Sequence, residues 1–219
     1  LHQEMQSPEL VSIKPWKTFH LLVEDIQFAK YMTCQFILGV GNLMLTAPLV
    51  IVLNDDFALD YLGEILIVTI IPILMIPFST PLWAMLLNRV HILTFRSIHS
   101  WFFVISSLSF ATGILMRDMT LMWAGAVIRG VGFGGGVLAW NLGHQDYAPV
   151  EQSGQYMGLH VTLTGIRGLF APALGIFLYT SLLAKGYPAG TIVFVTGAVC
   201  SAIGGIGFIL LARARKAQK

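Results

Sequence analysis

Charged residues are scarce in this chain of 219 residues. Only 11% of its residues are Asp, Glu, Lys or Arg, whereas 56% are hydrophobic, and the mean hydropathy is +0.75. A soluble globular domain carries about 25% charged residues, because its surface has to face water. The scarcity of charge therefore excludes a soluble globular domain and predicts an integral membrane protein.

Two further scarcities narrow the class of protein. The only cysteines, Cys34 and Cys200, lie in apolar stretches, so the sequence predicts no disulfide framework. Basic residues form no cluster beyond a short C-terminal tail, which argues against nucleic acid as a partner. The sequence begins with Leu1 rather than Met and lacks a signal-peptide core. We therefore expect it to be part of a longer protein.

Long apolar stretches dominate what is present. A membrane helix needs roughly 20 mostly apolar residues, and these stretches lack the period-two alternation of membrane strands. The sequence predicts an all-α protein with six transmembrane helices at about 32–53, 64–86, 99–116, 120–140, 158–182 and 191–211. We expect residues 1–31 to form a cytoplasmic linker with a short amphipathic helix. Residues 32–211 would form the six-helix bundle, and residues 212–219 a basic cytoplasmic tail.

The distribution of lysine and arginine predicts the orientation, because basic residues stay preferentially in the cytoplasm. With the N-terminus inside, only Arg117 and Lys185 lie in outer loops. Nine basic residues lie in inner segments: Lys14, Lys17, Lys30, Arg89, Arg96, Arg213, Arg215, Lys216 and Lys219. We therefore expect both termini to be cytoplasmic and the protein to be a multi-pass protein of the cytoplasmic (inner) membrane.

Two arginines, Arg129 and Arg167, lie inside predicted spans, whereas all acidic residues lie in loops or at span edges. A charge at the bilayer centre costs about 2.5–3.5 kcal/mol on insertion scales unless it faces protein or water. The helical period places polar residues on one face of three spans. These are Gln35, Gly39, Asn42 and Thr46 on the first, Arg129, Gly132, Gly136 and Trp140 on the fourth, and Tyr156, His160, Thr164 and Arg167 on the fifth.

The remaining spans have a different character. The second is rich in proline, which is typical of a bent helix whose freed carbonyls are satisfied by neighbours or water. The third and sixth carry no charge within their apolar cores, so we expect them to be lipid-facing supports.

This layout resembles the C-terminal six-helix half of a major facilitator superfamily transporter. The loop AMLLNRVH resembles the loop motif of that family, with Ala84 in place of glycine, Asn88 in place of the acid, and Arg89 retained. The run IRGVGFGGGVLAWNLGHQDYAP resembles its glycine-rich fourth helix, and YMGLHVTLTGIRGLFAPALG resembles a fifth helix of some bacterial members.

The resemblance implies a fold and a function. The first and fourth helices of such a half line a central cavity, the second and fifth flank it, and the third and sixth pack outside. Two such halves rock about a central site, so that it opens to each side in turn. We therefore expect a secondary active transporter of a small solute, which the midplane arginines suggest is anionic. Its partners would be membrane lipid and an N-terminal six-helix half, upstream of Leu1 or in a partner chain.

The candidate residues for substrate binding or coupling are Arg167, Arg129, His160, Thr164, Asn42, Gln35, Trp140 and Tyr156, with Asn88 and Arg89 in a gating loop. Two interpretations stay open for each arginine: a charge that meets an anion or couples transport, or a structural clamp bonded to carbonyls or to an acid on a neighbouring helix. His160 is either a proton carrier, since imidazole titrates near neutral pH, or a residue that bonds a neighbour.

Motifs for other chemistry are weak. Gly130, Gly132 and Gly135 match the dinucleotide pattern GxGxxG, but they lie inside an apolar span, where close helix packing explains them better. His144 and Asp146 are too few for a metal site. We find no nucleophile with a base and an orienting group, so we expect neither an enzyme nor a cofactor. The alternative function is a non-transporting six-span subunit that scaffolds a larger complex.

Overall fold

The computed structural model describes residues 15–217, which are helical apart from their turns. The helices are α1 Pro15–Glu24, α2 Ile26–Leu43, α3 Thr46–Asp55, α4 Tyr61–Ile65, α5 Ile71–Leu87, α6 Ile92–Met116, α7 Met119–Leu142, α8 Ser153–Leu183 and α9 Ala189–Ala217. A π-helical segment, Leu66–Ile70, joins α4 to α5, and a 3₁₀ turn, Val150–Gln152, precedes α8. Residues 1–14 of the expected linker and 218–219 of the expected tail lie outside the described residues.

Six helical segments are long and apolar enough to cross a membrane, as the sequence predicts. We number them spans one to six: Ile26–Asp55, Tyr61–Leu87, Ile92–Met116, Met119–Leu142, Val150–Leu183 and Ala189–Ala217. Short turns join successive spans, so they run alternately up and down. The end of the bundle that carries α1 and the last turn of α9 is called the α1 end below.

Span three begins seven residues before the apolar stretch that predicted it, at Ile92 rather than at 99. Two acceptors determine this start. The Asp146 carboxylate accepts from the backbone N–H of Ile92 at 2.8 Å, and His91 Nδ1 accepts from the N–H of Leu93 at 3.2 Å. Because caps rather than hydrophobicity determine where a helix begins, Arg96 lies on α6 and not in a loop.

The spans differ in how much of their surface the protein covers. Span three packs against α7 and α9 and is the most buried of the six, whereas spans two and five are the least buried. Span three was expected to face lipid. Its apolar sequence alone could not show this burial, because lipid and a neighbouring helix are equally compatible with apolar side chains.

Small residues allow the helices to approach closely. A Cβ atom at Gly41 of α2 would lie 2.6 Å from the carbonyl oxygen of Gly197 on α9, and one at Gly197 would lie 2.8 Å from that of Gly41. On α7, a Cβ at Gly130 would lie 2.7 Å from the carbonyl oxygen of Pro72. Gly130 opens the GxGxxG match, so the structure shows this glycine at a packed contact between α7 and α5.

Candidate functional site

A cavity of about 340 Å³ lies between the first five spans. Its polar lining consists of Gln35, Asn42, Arg96, Trp140, Asn141 and Arg167. Four of these were candidates from the sequence, whereas Arg96 and Asn141 were not. The cavity is reached from outside the chain, because Asn141 is exposed and Asn42 and Trp140 are half-buried.

Arg167 enters this cavity from the middle of α8 and is only 8% exposed. Its Nη1 donates to the backbone carbonyl of Gln35 at 2.8 Å, while its Nε has no hydrogen-bond partner among the described residues. Gly39, one turn further along α2, lies directly against the guanidinium, and a Cβ at this position would collide with it. The missing side chain at Gly39 therefore makes room for the guanidinium of Arg167 beside α2.

Arg96 is the second arginine of the cavity, and it is only 2% exposed. Its guanidinium lies over the ring of Phe208, 5.9 Å from the centroid, and its Nη1 lies 3.4 Å from Nδ1 of His99. His99 Nε2 lies 2.7 Å from the carbonyl oxygen of Gly132. Because arginine can only donate and a carbonyl can only accept, His99 accepts at Nδ1 and donates from Nε2.

This arrangement holds Arg96 without neutralising it. His99 in that tautomer is uncharged, and Phe208 offers only the face of its ring. Nε and Nη2 of Arg96 have no hydrogen-bond partner among the described residues. A sequence signal for this residue existed in the spacing of Arg96 and His99, three apart, which places both on one face of a helix. It was missed because Arg96 was assigned to a loop.

Arg129 does not line the cavity but lies behind its wall. It is 5% exposed and sits over the ring of Phe133, at 5.4 Å from the centroid, and Phe133 lines the cavity. Its Nη2 donates to the hydroxyl of Thr46 at 3.1 Å, and its Nε and Nη1 have no partner among the described residues. Arg129 thus links span four to the start of α3 and adds a second layer of positive charge.

His160 is completely buried, and the side chain of Trp140 separates it from the cavity. Its ring packs edge-on against Trp140, with centroids 5.8 Å apart, and Trp140 lines the cavity. Neither ring nitrogen of His160 has a hydrogen-bond partner among the described residues, nor does the hydroxyl of Thr164. Neither candidate is therefore part of the cavity lining, and His160 supports the wall through Trp140.

Tyr156 lies away from the cavity, at the α1 end. Its hydroxyl donates to the Asp25 carboxylate at 3.0 Å, and its ring packs on Phe28, with centroids 4.6 Å apart. The other carboxylate oxygen of Asp25 accepts from the backbone N–H groups of Gln27 and Phe28. The helical period alone had placed Tyr156 on the same face as Arg167, but three turns separate the two residues along α8.

The two residues of the expected gating loop also lie apart from the cavity. Asn88 ends α5 and Arg89 follows it, and both side chains are exposed at the α1 end. Arg89 lines a different, smaller cavity near the end of α9. The structure therefore brings neither residue to the arginine cavity.

His144 and Asp146, the two potential metal ligands, contact different partners. His144 Nε2 lies 3.3 Å from the hydroxyl of Ser153, and Asp146 lies 3.3 Å from His91 Nε2. Burial lowers the pKa of His144, which favours its neutral form. Residues 15–217 contain no group of three or more His, Cys, Asp or Glu side chains that could hold a metal ion.

The arginines of the bundle have no acidic counterpart in the described chain. Its only ion pairs are those of His20 with Glu24 and of His91 with Asp146, both outside the cavity. A buried charge is stable only when it is paired or strongly hydrogen-bonded. Arg96, Arg129 and Arg167 therefore create a positive interior whose remaining donors are suited to carboxylate or phosphate oxygens, which arginine binds through two parallel N–H groups.

Comparison with known proteins adds no relative. No protein-family model matches this sequence, and searches among curated proteins and solved structures give no significant match.

Proposed function

We propose that this chain is one six-helix half of a secondary active transporter and that its arginine cavity binds a small anionic solute. The observation that supports this proposal best is the pair Arg96 and Arg167, which line one cavity without an acidic partner among residues 15–217. The resemblance to a major facilitator superfamily half adds a second reason. A second six-helix half, upstream in the same chain or in a partner chain, would complete the site.

The shape of the cavity agrees with a solute site. Its volume of about 340 Å³ is at the lower end of the range typical of small-molecule pockets. Apolar groups such as Leu38 and Phe103 line it together with the arginines, so water would be partly excluded and each guanidinium would interact more strongly with an anion. Gln35 and Asn42 would supply neutral hydrogen bonds to the same solute.

The orientation is also part of the proposal. Basic residues concentrate at the α1 end, whereas the opposite end carries Arg117 and Lys185. The α1 end would therefore face the cytoplasm, in an inner membrane. The exposed apolar side chains of spans two and five, such as Phe78 and Leu169, would be covered by lipid and by the second half.

The positive field of the cavity can be tested by thiol labelling. In a background with Cys34 and Cys200 replaced by serine, Asn141→Cys places a reactive thiol at the exposed edge of the cavity. An anionic methanethiosulfonate reagent should react faster than a cationic reagent of similar size, after normalisation to a free thiol. At an effective dielectric constant of about 60, as in a largely hydrated site, a unit charge roughly 8 Å from the thiol changes this ratio about tenfold.

Two variants supply the comparison. Arg96→Gln and Arg167→Gln should each lower the anionic preference at Asn141→Cys, whereas Arg213→Gln, which removes an exposed charge from the end of α9, should leave it unchanged. An anionic preference that survives the loss of both cavity arginines would contradict the proposal. So would an equal effect of Arg213→Gln.

Transport itself requires the complete protein. Reconstituted in proteoliposomes, it should exchange at least one small carboxylate, phosphate or sulfate, and the exchange should be lost with Arg167→Gln. If labelling shows the positive field but no anion is exchanged, the six-span scaffold is the better interpretation.

A further inference from the structure

A second positive region lies at the α1 end, separate from the arginine cavity. One cavity of about 250 Å³ is lined there by Arg89, His91, Thr94, Arg215 and Lys216. A neighbouring cavity of about 230 Å³ is lined by Gln27 and Lys30. Both cavities share Leu93 and Arg215, so they form one continuous surface between the starts of α2 and α6 and the end of α9.

The charges of this surface have no acidic partner in the described part of the chain. None of Lys30, Arg89, Arg215 and Lys216 forms an ion pair there. Two acids contact lining residues but are engaged elsewhere. Asp146 pairs with His91 and caps α6 through the N–H of Ile92, and Asp25 accepts from the backbone N–H of Gln27 and from the hydroxyl of Tyr156. Four cationic groups are therefore available to one ligand.

An apolar groove leads away from this basic surface toward the middle of the bundle. It has a volume of about 350 Å³, lies between α2 and α9, and shares Lys30 and Leu211 with the second basic cavity. Its apolar lining includes Ile26, Ala29, Gly207 and Leu210. The groove extends along α2 from Ile26 to Cys34, which is about 12 Å at the rise of an α-helix.

We propose that this composite surface is a binding site for an anionic phospholipid. The phosphate of the lipid would occupy the basic cavities, and one acyl chain would lie in the groove between α2 and α9. Basic cavities between membrane helices at the cytoplasmic surface are suited to anionic headgroups, and arginine pairs with phosphate oxygens in a bidentate manner. The adjoining apolar groove favours a lipid over a free phosphate ion. This site does not depend on the function proposed for the arginine cavity.

The headgroup part can be tested on the purified protein in detergent by native mass spectrometry, with dioleoyl phosphatidylglycerol as the probe and dioleoyl phosphatidylcholine as the neutral reference. Phosphatidylglycerol should bind more tightly. Each basic residue at a membrane surface contributes roughly fivefold in affinity, so Arg215→Gln with Lys216→Gln should weaken binding about 25-fold. Arg213→Gln is the matched control, since Arg213 lies on the same helix and lines none of the three cavities.

The groove is tested by a second pair of variants. Thr33 is exposed, lines the groove and donates to the carbonyl oxygen of Ala29, so Thr33→Phe would fill the groove. Thr162 on α8 is equally exposed, donates in the same way to Gly158 and lines none of these cavities. Thr33→Phe should weaken binding of the dioleoyl lipid but not of dihexanoyl phosphatidylglycerol, and Thr162→Phe should change neither.

Three results would overturn the proposal. One is an equal loss of affinity in Arg213→Gln and in the double variant. Another is an equal effect of Thr33→Phe and Thr162→Phe on the dioleoyl lipid. The third is displacement of the lipid by millimolar inorganic phosphate, which would identify a site for a free anion. A circular dichroism melt of every variant checks that it is folded.

Discussion

The protein carries positive charge in two regions that differ in their solvent. In the arginine cavity, Arg96 and Arg167 are almost completely buried, and each is held by a few fixed contacts. At the α1 end, Arg89 and Lys216 are exposed, and Arg215 is half-buried. Keeping a side chain charged therefore has a high desolvation free energy in the buried cavity and a low one at the exposed α1 end.

This difference teaches what each region can be used for. A buried guanidinium loses its hydration and gains strongly from an anion, so it suits the selective binding of a small solute. An exposed cluster is screened by salt within about 10 Å at 0.1 M and suits a ligand that brings several contacts, such as a lipid with its acyl chains.

The largest effect is expected when the position of Arg167 is changed without removing its charge. Gly39→Ala would place a Cβ atom where the guanidinium lies, so Arg167 should leave the carbonyl of Gln35. We expect the anionic preference at Asn141→Cys to fall, at most by the roughly tenfold of a lost charge. Gly168→Ala is the matched control, because a Cβ at Gly168 meets open space. Equal preferences in the two alanine variants would show that the position of the guanidinium is unimportant.

A second experiment separates solute binding from a clamp role for Arg167. Its Nη1 bonds the carbonyl of Gln35, but this carbonyl lies inside α2, where the helix itself provides a donor. Arg167→Ala should therefore change the free energy of unfolding by less than about 1 kcal/mol, whereas a clamp would be worth ~1–3 kcal/mol. Arg167→Lys should keep part of the anionic preference, because it keeps the charge but loses the planar fork.

The folded yield in detergent and a thermal melt measure this outcome. A sharp loss of folded protein in Arg167→Ala, with normal yield in Arg167→Lys, would indicate that the side chain holds helices together. The anion-site interpretation of Arg167 should then be abandoned.

A smaller effect is expected from salt, and it should differ between the two regions. Between 0.05 and 0.5 M NaCl, the affinity for phosphatidylglycerol at the α1 end should fall severalfold, because exposed charges are screened. The anionic preference at Asn141→Cys should fall by less, since the arginines of the cavity are buried. The same salt dependence at both sites would remove the distinction between them.

The smallest effect concerns pH at the α1 end. Burial lowers the pKa of His144 in the folded protein, so the unfolded chain binds more protons at mildly acidic pH. Stability from this residue is complete above the ordinary histidine pKa of about 6.5 and is lost as the pH falls below it toward the lowered pKa of the folded state. The hydrogen-exchange protection factors of residues 143–152, which are corrected for the slower intrinsic exchange at lower pH, should therefore fall on acidification. In His144→Gln this pH dependence should disappear.

Much of the fold could be predicted from the sequence. The scarcity of charge and the lengths of the apolar stretches were sufficient for six helices, because a bilayer imposes both requirements directly. The polar faces of spans one, four and five likewise identified Gln35, Asn42, Trp140 and Arg167, which the structure places around one cavity. Periodicity succeeds here because it depends only on the geometry of a single helix.

The tertiary structure decided which residues of different helices contact one another. Arg96 lines the cavity because Asp146 and His91 cap α6 ahead of its apolar stretch, so that Arg96 is part of the helix. Tyr156 lies outside the cavity, where its hydroxyl on α8 donates to Asp25 at the start of α2. Ile92 and Asp146 are 54 positions apart in the sequence, and Tyr156 and Asp25 are 131 positions apart. Local composition determined that this chain crosses a membrane. Which buried charges meet in one cavity depended on long-range packing, since no periodic pattern within one helix contains that information.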